Sequence, residues 1–303
     1  MKKIWRPTAA ILVSACALSL IGCGTKENTQ TTAQAGSSAQ PTIVKVGVVG
    51  EYNAQWDTIN ELLADDGIQV ELVKFTDYAA PNRALNDGEI DLNAFQHKAF
   101  LANDIAQKGY EISDIGDTII APLCIYNNAD KISSIEDIKD GDVIAIPSDL
   151  TNGGRALKLL EEAGLITCDP EKGFTPTKAD ILTYHVAIDI KEAESATLFN
   201  ILPDCAAAII NGGNAFTAGL DPMNDSIFQE DVNPETNEAV PQLINIIAAR
   251  TKDNDNEIYK KVVDVYGNGL CQTYDEGLHE SDVLLLARTG IVTEGKQCRC
   301  HYQ

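Results

Sequence analysis

The chain has 303 residues, 22% of them charged, and a formal net charge of −22. Single hydrophobic cores stop growing at about 250–300 residues, so a chain of this length is expected to form two compact lobes. Strong acidity, with no Lys/Arg run beyond the first few residues, argues against nucleic acid or an anionic lipid surface as partner.

The chain opens with Lys2, Lys3 and Arg6, followed by an apolar stretch from Thr8 to Ile21. That stretch is shorter than the ~20 residues a membrane span needs and has the length of a signal-peptide core. It closes on Leu20-Ile21-Gly22-Cys23, which resembles a bacterial lipobox. The resemblance implies cleavage before Cys23 and acylation of its thiol; an ordinary secretory signal with an unrelated Cys is the alternative. Residues 1–22 are therefore expected to be a lipoprotein signal peptide. Residues 23–41 are expected to be the lipidated Cys and a flexible tether. Gly24 to Pro41 holds no large apolar residue, so burial there cannot offset the entropy of ordering.

From Thr42 strand and helix signals alternate. Ile43 to Val49 reads as a buried strand, and Trp56, Ile59, Leu62 and Leu63 as the apolar face of a helix stopped by Gly67. Val70 to Val73 is a strand, Pro81 opens a short helix ending near Gly88, and Leu92 to Phe95 is a third strand leading into a helix through Phe100 and Leu101. A second set begins near Leu123. It includes a strand from Val143 to Ile146 and a helix carrying Leu157, Leu159, Leu160 and Ala163 with Gly164 as its stop. Ala206 to Ile210 and Leu243 to Ala249 are further strands; Ile258, Val262 and Val263, then Val283 to Leu286, mark the last helices. Such alternation predicts an α/β fold of βαβ units with a mostly parallel sheet. The expected lobes are 42–122, 123–240, and a return to the first lobe over 241–303. Two such lobes place a cleft at the strand C-termini, where open α/β sheets bind small molecules.

The cysteines carry little chemistry. Cys124 and Cys205 sit in apolar runs and read as small core residues. Cys168 and Cys271 are isolated, and Cys298-Arg299-Cys300 lacks companion ligands, so no metal and no cofactor is expected. There is no Gly-x-Ser-x-Gly elbow and no phosphate loop, so nothing points to an enzyme.

Three segments stand out. The first is Phe75-Thr76-Asp77-Tyr78 with Asp91-Leu92-Asn93-Ala94-Phe95-Gln96-His97-Lys98-Ala99-Phe100-Leu101. The second runs from Ile146-Pro147-Ser148-Asp149 through Leu150-Thr151-Asn152-Gly153-Gly154-Arg155 to Leu157, and the third is Ile209-Ile210-Asn211-Gly212-Gly213. With the lipobox they resemble the methionine-binding lipoproteins of ABC importers, the NlpA-type lipoproteins. The likeness runs from the lipobox to about Arg250 and more weakly to Leu286. It implies a periplasmic-binding-protein-like fold, with methionine held between two α/β lobes and delivered to a permease with a cytoplasmic ATPase. The protein would be membrane-anchored on the extracytoplasmic face. By motif position it implies Phe75, Tyr78, His97 and Phe100 as ligand residues of the first lobe, with Asn152, Arg155, Asn211 and Asn245 completing the site.

The residues support parts of that set without the likeness. Thr151 to Gly154 reads as a strand-to-helix junction, and a helix N-terminus favours an anion. Arg155 then falls in the first turn, where a cation is unfavourable and needs an acidic partner. That partner is either a ligand carboxylate or a protein carboxylate. The Asn211 amide oxygen could accept from an α-ammonium, or Asn211 could simply be a turn residue. Phe75, Tyr78 and Phe100 suit a thioether slot or ordinary core, and His97 alone would be a packed side chain. Phe100 stands where the family often shows Tyr, Gly213 and Asn214 where it often shows an aromatic, and Ala121 where some members have one, so a looser wall is expected. The competing functions are a surface lipoprotein binding another amino acid, an adhesin, and an α/β hydrolase-type enzyme.

Overall fold

A computed structural model describes residues 40–51, 53–275, 292–293 and 296–297. The expectations for the signal peptide, Cys23, most of the tether, Val283–Leu286 and the Cys298/Cys300 pair lie outside them.

The first lobe begins with β1 (Thr42–Val49), α1 (Gln55–Leu63), β2 (Ile68–Phe75) and α2 (Ala80–Asp87). It continues with β3 (Leu92–His97), α3 (Lys98–Lys108) and β4 (Ile112–Ile120). The chain then crosses to β5 (Leu123–Asn127), β6 (Val143–Pro147), α4 (Leu150–Glu162), β7 (Ile166–Cys168), β8 (Ile181–Tyr184) and β9 (Asp189–Ala193). After α5 (Leu198–Ile201) come β10 (Ala207–Asn211), α6 (Gly212–Thr217), α7 (Pro222–Asp225) and β11 (Ser226–Gln229). A second crossing leads through α8 (Val240–Leu243) into β12 (Ile244–Arg250), and α9 (Glu257–Asp275) follows.

Two five-stranded sheets result, in the orders β2-β1-β3-β12-β4 and β11-β5-β10-β6-β9. In the first, β12 is antiparallel to both β3 and β4 while β1 pairs in parallel with β2 and β3. In the second, β5 is antiparallel to both β10 and β11 while β6 pairs in parallel with β9 and β10. Four strands of each sheet thus run one way and one runs back. The reversed strands are the two that enter a lobe from the other one. A strand starting at the cleft must run opposite to strands ending there.

Both faces of each sheet are covered, so successive side chains enter different cores. Val44, Val46 and Val48 of β1 pack with Trp56, Ile59 and Leu63 of α1 and with Tyr259 and Val262 of α9. Each fully buried Val contributes about 1.5–3 kcal/mol relative to exposure. On β12, Ile247 and Ala249 join that core, whereas Ile246 and Ala248 face Leu85, Ile90 and Leu101 on the other side. In the second lobe Leu123 and Ile125 face α4, while Cys124, Ala208 and Ile210 meet Leu198, Leu202 and Cys205. Cys124 and Cys205 are core residues, as their apolar neighbours suggested; burial pushes the Cys124 thiol up to about 12. Leu62 does not join the face of α1: it is exposed, because Trp56, Ile59 and Leu63 follow the helical period and Leu62 falls off it. Among the described residues no helix is long and apolar enough to cross a membrane.

Candidate functional site

A cavity of about 140 Å³ lies where the strands of both sheets end. One water needs ~10–15 Å³ on this measure, so the space suits a solute the size of an amino acid. Seven of the eight expected residues line it: Tyr78, His97, Phe100, Asn152, Arg155, Asn211 and Asn245. Phe75 does not. It packs beside Val73 and Leu85 and borders a neighbouring cavity with Thr76 and Phe199.

The first lobe supplies the aromatic wall. β3 runs into α3, and His97 is the N-cap, its Nδ1 accepting from the Phe100 N–H at 3.1 Å. That bond fixes the tautomer, because an accepting Nδ1 leaves the proton of a neutral ring on Nε2. Burial, helped by the charge of Arg155, lowers the His97 pKa to about 3, so the ring is neutral at physiological pH. Phe100 then stands edge-on to Tyr78 at 6.1 Å and to Phe95 at 5.8 Å, and Tyr78 and Phe95 are 5.9 Å apart. Phe95 lines the cavity in the place that the sequence reading gave to Phe75. The Tyr78 phenol is pushed well above its ordinary pKa, first by burial and then by the charge of Asp149, and it accepts from Asn214 Nδ2 of the second lobe at 3.1 Å. Asn214 and Phe216 occupy the wall where the sequence suggested a gap.

The second lobe supplies charge and amides. α4 begins at Leu150 with Asp149 as its N-cap, so Thr151 to Gly154 belongs to the helix and is not a junction before it. Arg155 is the sixth helical residue, beyond the first turn in which the dipole acts, so the expected conflict with the dipole does not arise. The two glycines serve close packing instead. A Cβ on Gly153 would lie 2.8 Å from the Pro147 carbonyl oxygen, and one on Gly154 would lie 2.6 Å from Thr175 Cα.

Arg155 has a protein partner that sequence reasoning left unnamed. Its Nε donates to Glu230 Oε1 at 3.0 Å and its Nη2 to Glu230 Oε2, and Nη2 also reaches the Ala121 carbonyl at 3.2 Å. Arg155 is 4% exposed and Glu230 9%, so the pair is out of water. Glu230 Oε2 also accepts from the Leu123 N–H at 3.0 Å, tying the two crossings together. The hydrogen bonds of Arg155 to the described residues come from Nε and Nη2, and the residue also lines the cavity.

The amides form a chain. Asn152 Nδ2 donates to both oxygens of Asp149, at 3.1 and 3.0 Å. Its Oδ1 accepts from Asn211 Nδ2 at 2.8 Å and faces His97 Nε2 at 3.4 Å. The Asn211 Oδ1 is buried and has no partner among the described residues. Asn245 enters from β12, opposite His97 in the ladder. Among the described residues no cluster of His, Cys, Asp or Glu could hold a metal ion.

A family model described as NlpA lipoprotein matches residues 44–282. The D-methionine-binding lipoprotein MetQ of Salmonella typhimurium is 37% identical over 253 residues, 82% of this chain and 86% of that protein. A solved nutrient-binding protein from Burkholderia cenocepacia bound to methionine aligns with a TM-score of 0.68 at 34% identity, covering 74% of this chain and 91% of that one. The substrate-binding protein of a methionine transporter from Streptococcus pneumoniae gives 0.69 at 33% identity, covering 82% and 92%.

Proposed function

We propose that this chain, which belongs to the NlpA lipoprotein family, captures methionine in the cleft between its lobes and delivers it to an ABC import permease. It does so as a binding protein, anchored on the extracytoplasmic face by lipid on Cys23. In this reading the first lobe comprises 42–122 with 241–303, and the second 123–240. The observation that carries the ligand class is Asn211 Oδ1, a buried acceptor without a partner among the described residues, in a cavity that Arg155 also lines. An unpaired buried acceptor costs about 1–3 kcal/mol, and an α-ammonium would satisfy it. The Arg155 guanidinium would meet the α-carboxylate, with Asn245 and His97 closing around the backbone atoms. Tyr78, Phe95 and Phe100 would hold the side chain, where sulfur–aromatic contacts contribute about 0.3–1.5 kcal/mol.

The L-enantiomer is the proposed ligand, with D-methionine, named for the Salmonella typhimurium relative, or a methionine derivative as the alternative. Calorimetry with L-methionine, D-methionine, norleucine and leucine tests the reading, and mass spectrometry of ligand released on denaturation identifies the natural occupant. L-methionine should bind most tightly and leucine poorly. Leucine competing as well as methionine would refute the thioether slot. The anchor is tested apart: Cys23→Ala should release the domain from membranes, since an acyl chain contributes about 0.8 kcal/mol per buried CH₂.

A further inference from the structure

We infer that Asp149, which is not among the residues lining the cavity, is a positioning residue that sets the polarity of the ammonium site. The inference rests on the methionine reading above and deepens it. A carboxylate can only accept hydrogen bonds, so the side-chain nitrogen of Asn152 must face Asp149, as it does at 3.1 and 3.0 Å. The Asn152 oxygen then points away and can only accept. Asn211 must therefore offer its nitrogen at 2.8 Å, which leaves its oxygen as the atom presented for a donor. His97 pins the same orientation from the other lobe. Its Nδ1 is occupied by the Phe100 N–H, so its Nε2 is the proton donor and faces the Asn152 oxygen. Two groups that cannot reverse their roles, one in each lobe, thus force every amide between them. Thr151 Oγ1 at 3.0 Å and Ser195 Oγ at 3.4 Å hold the Asp149 carboxylate in place.

The consequence is a choice between an amino acid and its α-hydroxy analogue. An acceptor-only oxygen rewards an ammonium more than a hydroxyl, because hydrogen bonds involving an ionised group are the stronger ones. Asp149→Asn keeps the helix cap, since Asn caps as well as Asp and its oxygen can still accept from the Asn152 N–H that now bonds to Asp149 at 2.9 Å. It places an NH₂ group where a carboxylate oxygen faced Asn152. The His97 contact at 3.4 Å is the longer one and gives way, so Asn152 and Asn211 turn over and Asn211 presents nitrogen to the ligand.

Calorimetry on the full chain with methionine and its α-hydroxy analogue tests this. The wild type should prefer methionine. Asp149→Asn should weaken methionine by about 10- to 100-fold and leave the hydroxy analogue within about threefold. Asp149→Ser, another good cap too short to reach the Asn152 amide, leaves only the 3.4 Å His97 contact to orient it and should shift the preference the same way by a smaller factor. Removing a negative charge could by itself weaken an ammonium ligand, so the same Asp149→Asn change is made in an Asn211→Ala background. If Asp149 acts through the Asn211 amide, its effect on methionine disappears there; an undiminished effect overturns the inference. Equal losses for both ligands, or none, also overturn it. A wild type that binds neither ligand instead sinks the methionine reading itself.

Discussion

Under the cleft, the first lobe rests on a network of buried amides tied to one carboxylate, and the second on a buried ion pair. Asn82, Asn93 and Gln96 are 0–2% exposed and bond to one another at 2.6–3.0 Å, with Asn82 also donating to Asp104 at 3.0 Å. This network clamps the end of β3 between α2 and α3, so Phe95 and His97 leave the strand in fixed directions. In the second lobe the corresponding support is the Arg155–Glu230 pair. The sheets share one plan of four strands and one reversed strand, yet the Tyr78, Phe95 and Phe100 cluster comes from one lobe and the Arg155 guanidinium and the Asn211 acceptor from the other. A zwitterion with an apolar side chain is then fully matched only when both lobes meet on it. A ligand that binds only a closed form of two such lobes shifts the population toward that form.

The sharpest test of that contrast is to truncate each support. Arg155→Ala leaves Glu230 buried without its partner and should cost about 3–5 kcal/mol in urea unfolding. Asn82→Ala removes a neutral member while Asp104 keeps Lys108 at 3.0 Å, and should cost about 1–3 kcal/mol. Arg155→Met combined with Glu230→Gln should recover more than half of the first loss, since it is the stranded charge that is costly. If the double variant is no better than Arg155→Ala, the ion pair is not what the second lobe rests on.

A second test uses pH. His97 is neutral in the folded protein down to about 3, whereas an unfolded His takes up a proton near 6.5. Below about pH 6.5 the unfolded state therefore binds a proton that the native state does not. This part of the stability is fully present above 6.5 and falls by roughly 1.4 kcal/mol per pH unit toward 3. His97→Gln should remove that slope, seen as the difference between wild type and variant in unfolding at pH 7, 6, 5 and 4. Parallel curves would show that the first lobe does not hold a neutral imidazole.

How far this was legible from the sequence follows from burial. β1, β6, β10 and β12 lie inside their sheets with both faces covered, and they read as mainly apolar runs, interrupted by Lys45 in β1 and Asn245 in β12. Of the edge strands, β2 showed through Val70 to Val73, but β4 and β9 did not. β4 is interrupted by Asp114, Gly116 and Asp117, and β9 buries only Ile190 among charged neighbours. An edge strand with a solvated side carries alternation at most, and the charges of β4 and β9 break even that. In the site, Asn152, Arg155 and Asn211 were marked by short motifs at strand ends. Glu230 was not, because it meets Arg155 across 75 positions and nothing local announces the pairing. Phe75 and Phe95 are both strand-end aromatics, and only the three-dimensional register separates them.

A third, smaller effect concerns the bond that joins the lobes. Tyr78→Phe removes the acceptor of Asn214 Nδ2 and should lower methionine affinity by about 0.5–1.5 kcal/mol, roughly 2- to 12-fold. The stability of the ligand-free protein should change less than the affinity, because the bond spans the cleft and closes with it. Equal changes in both would place that bond in the resting structure and not in closure.

The smallest expected effect decides which aromatic faces the ligand. Phe95 lies 5.8 Å from Phe100 and 5.9 Å from Tyr78 and lines the cavity; Phe75 sits beside Val73 and Leu85. Phe95→Leu keeps an apolar side chain but removes a ring face and edge that a thioether sulfur can contact, at about 0.3–1.5 kcal/mol. Norleucine has a methylene in place of that sulfur and should lose less. The preference for methionine over norleucine should therefore shrink by up to about tenfold in Phe95→Leu. Phe75→Leu should leave the preference unchanged and act on stability alone, since it loosens packing against Gly47, where the ring lies 3.1 Å from the position a Cβ would take. Competition calorimetry on the two variants separates these outcomes. A preference that shrinks in Phe75→Leu and holds in Phe95→Leu would reassign the aromatic wall to β2 and reverse the placement argued here.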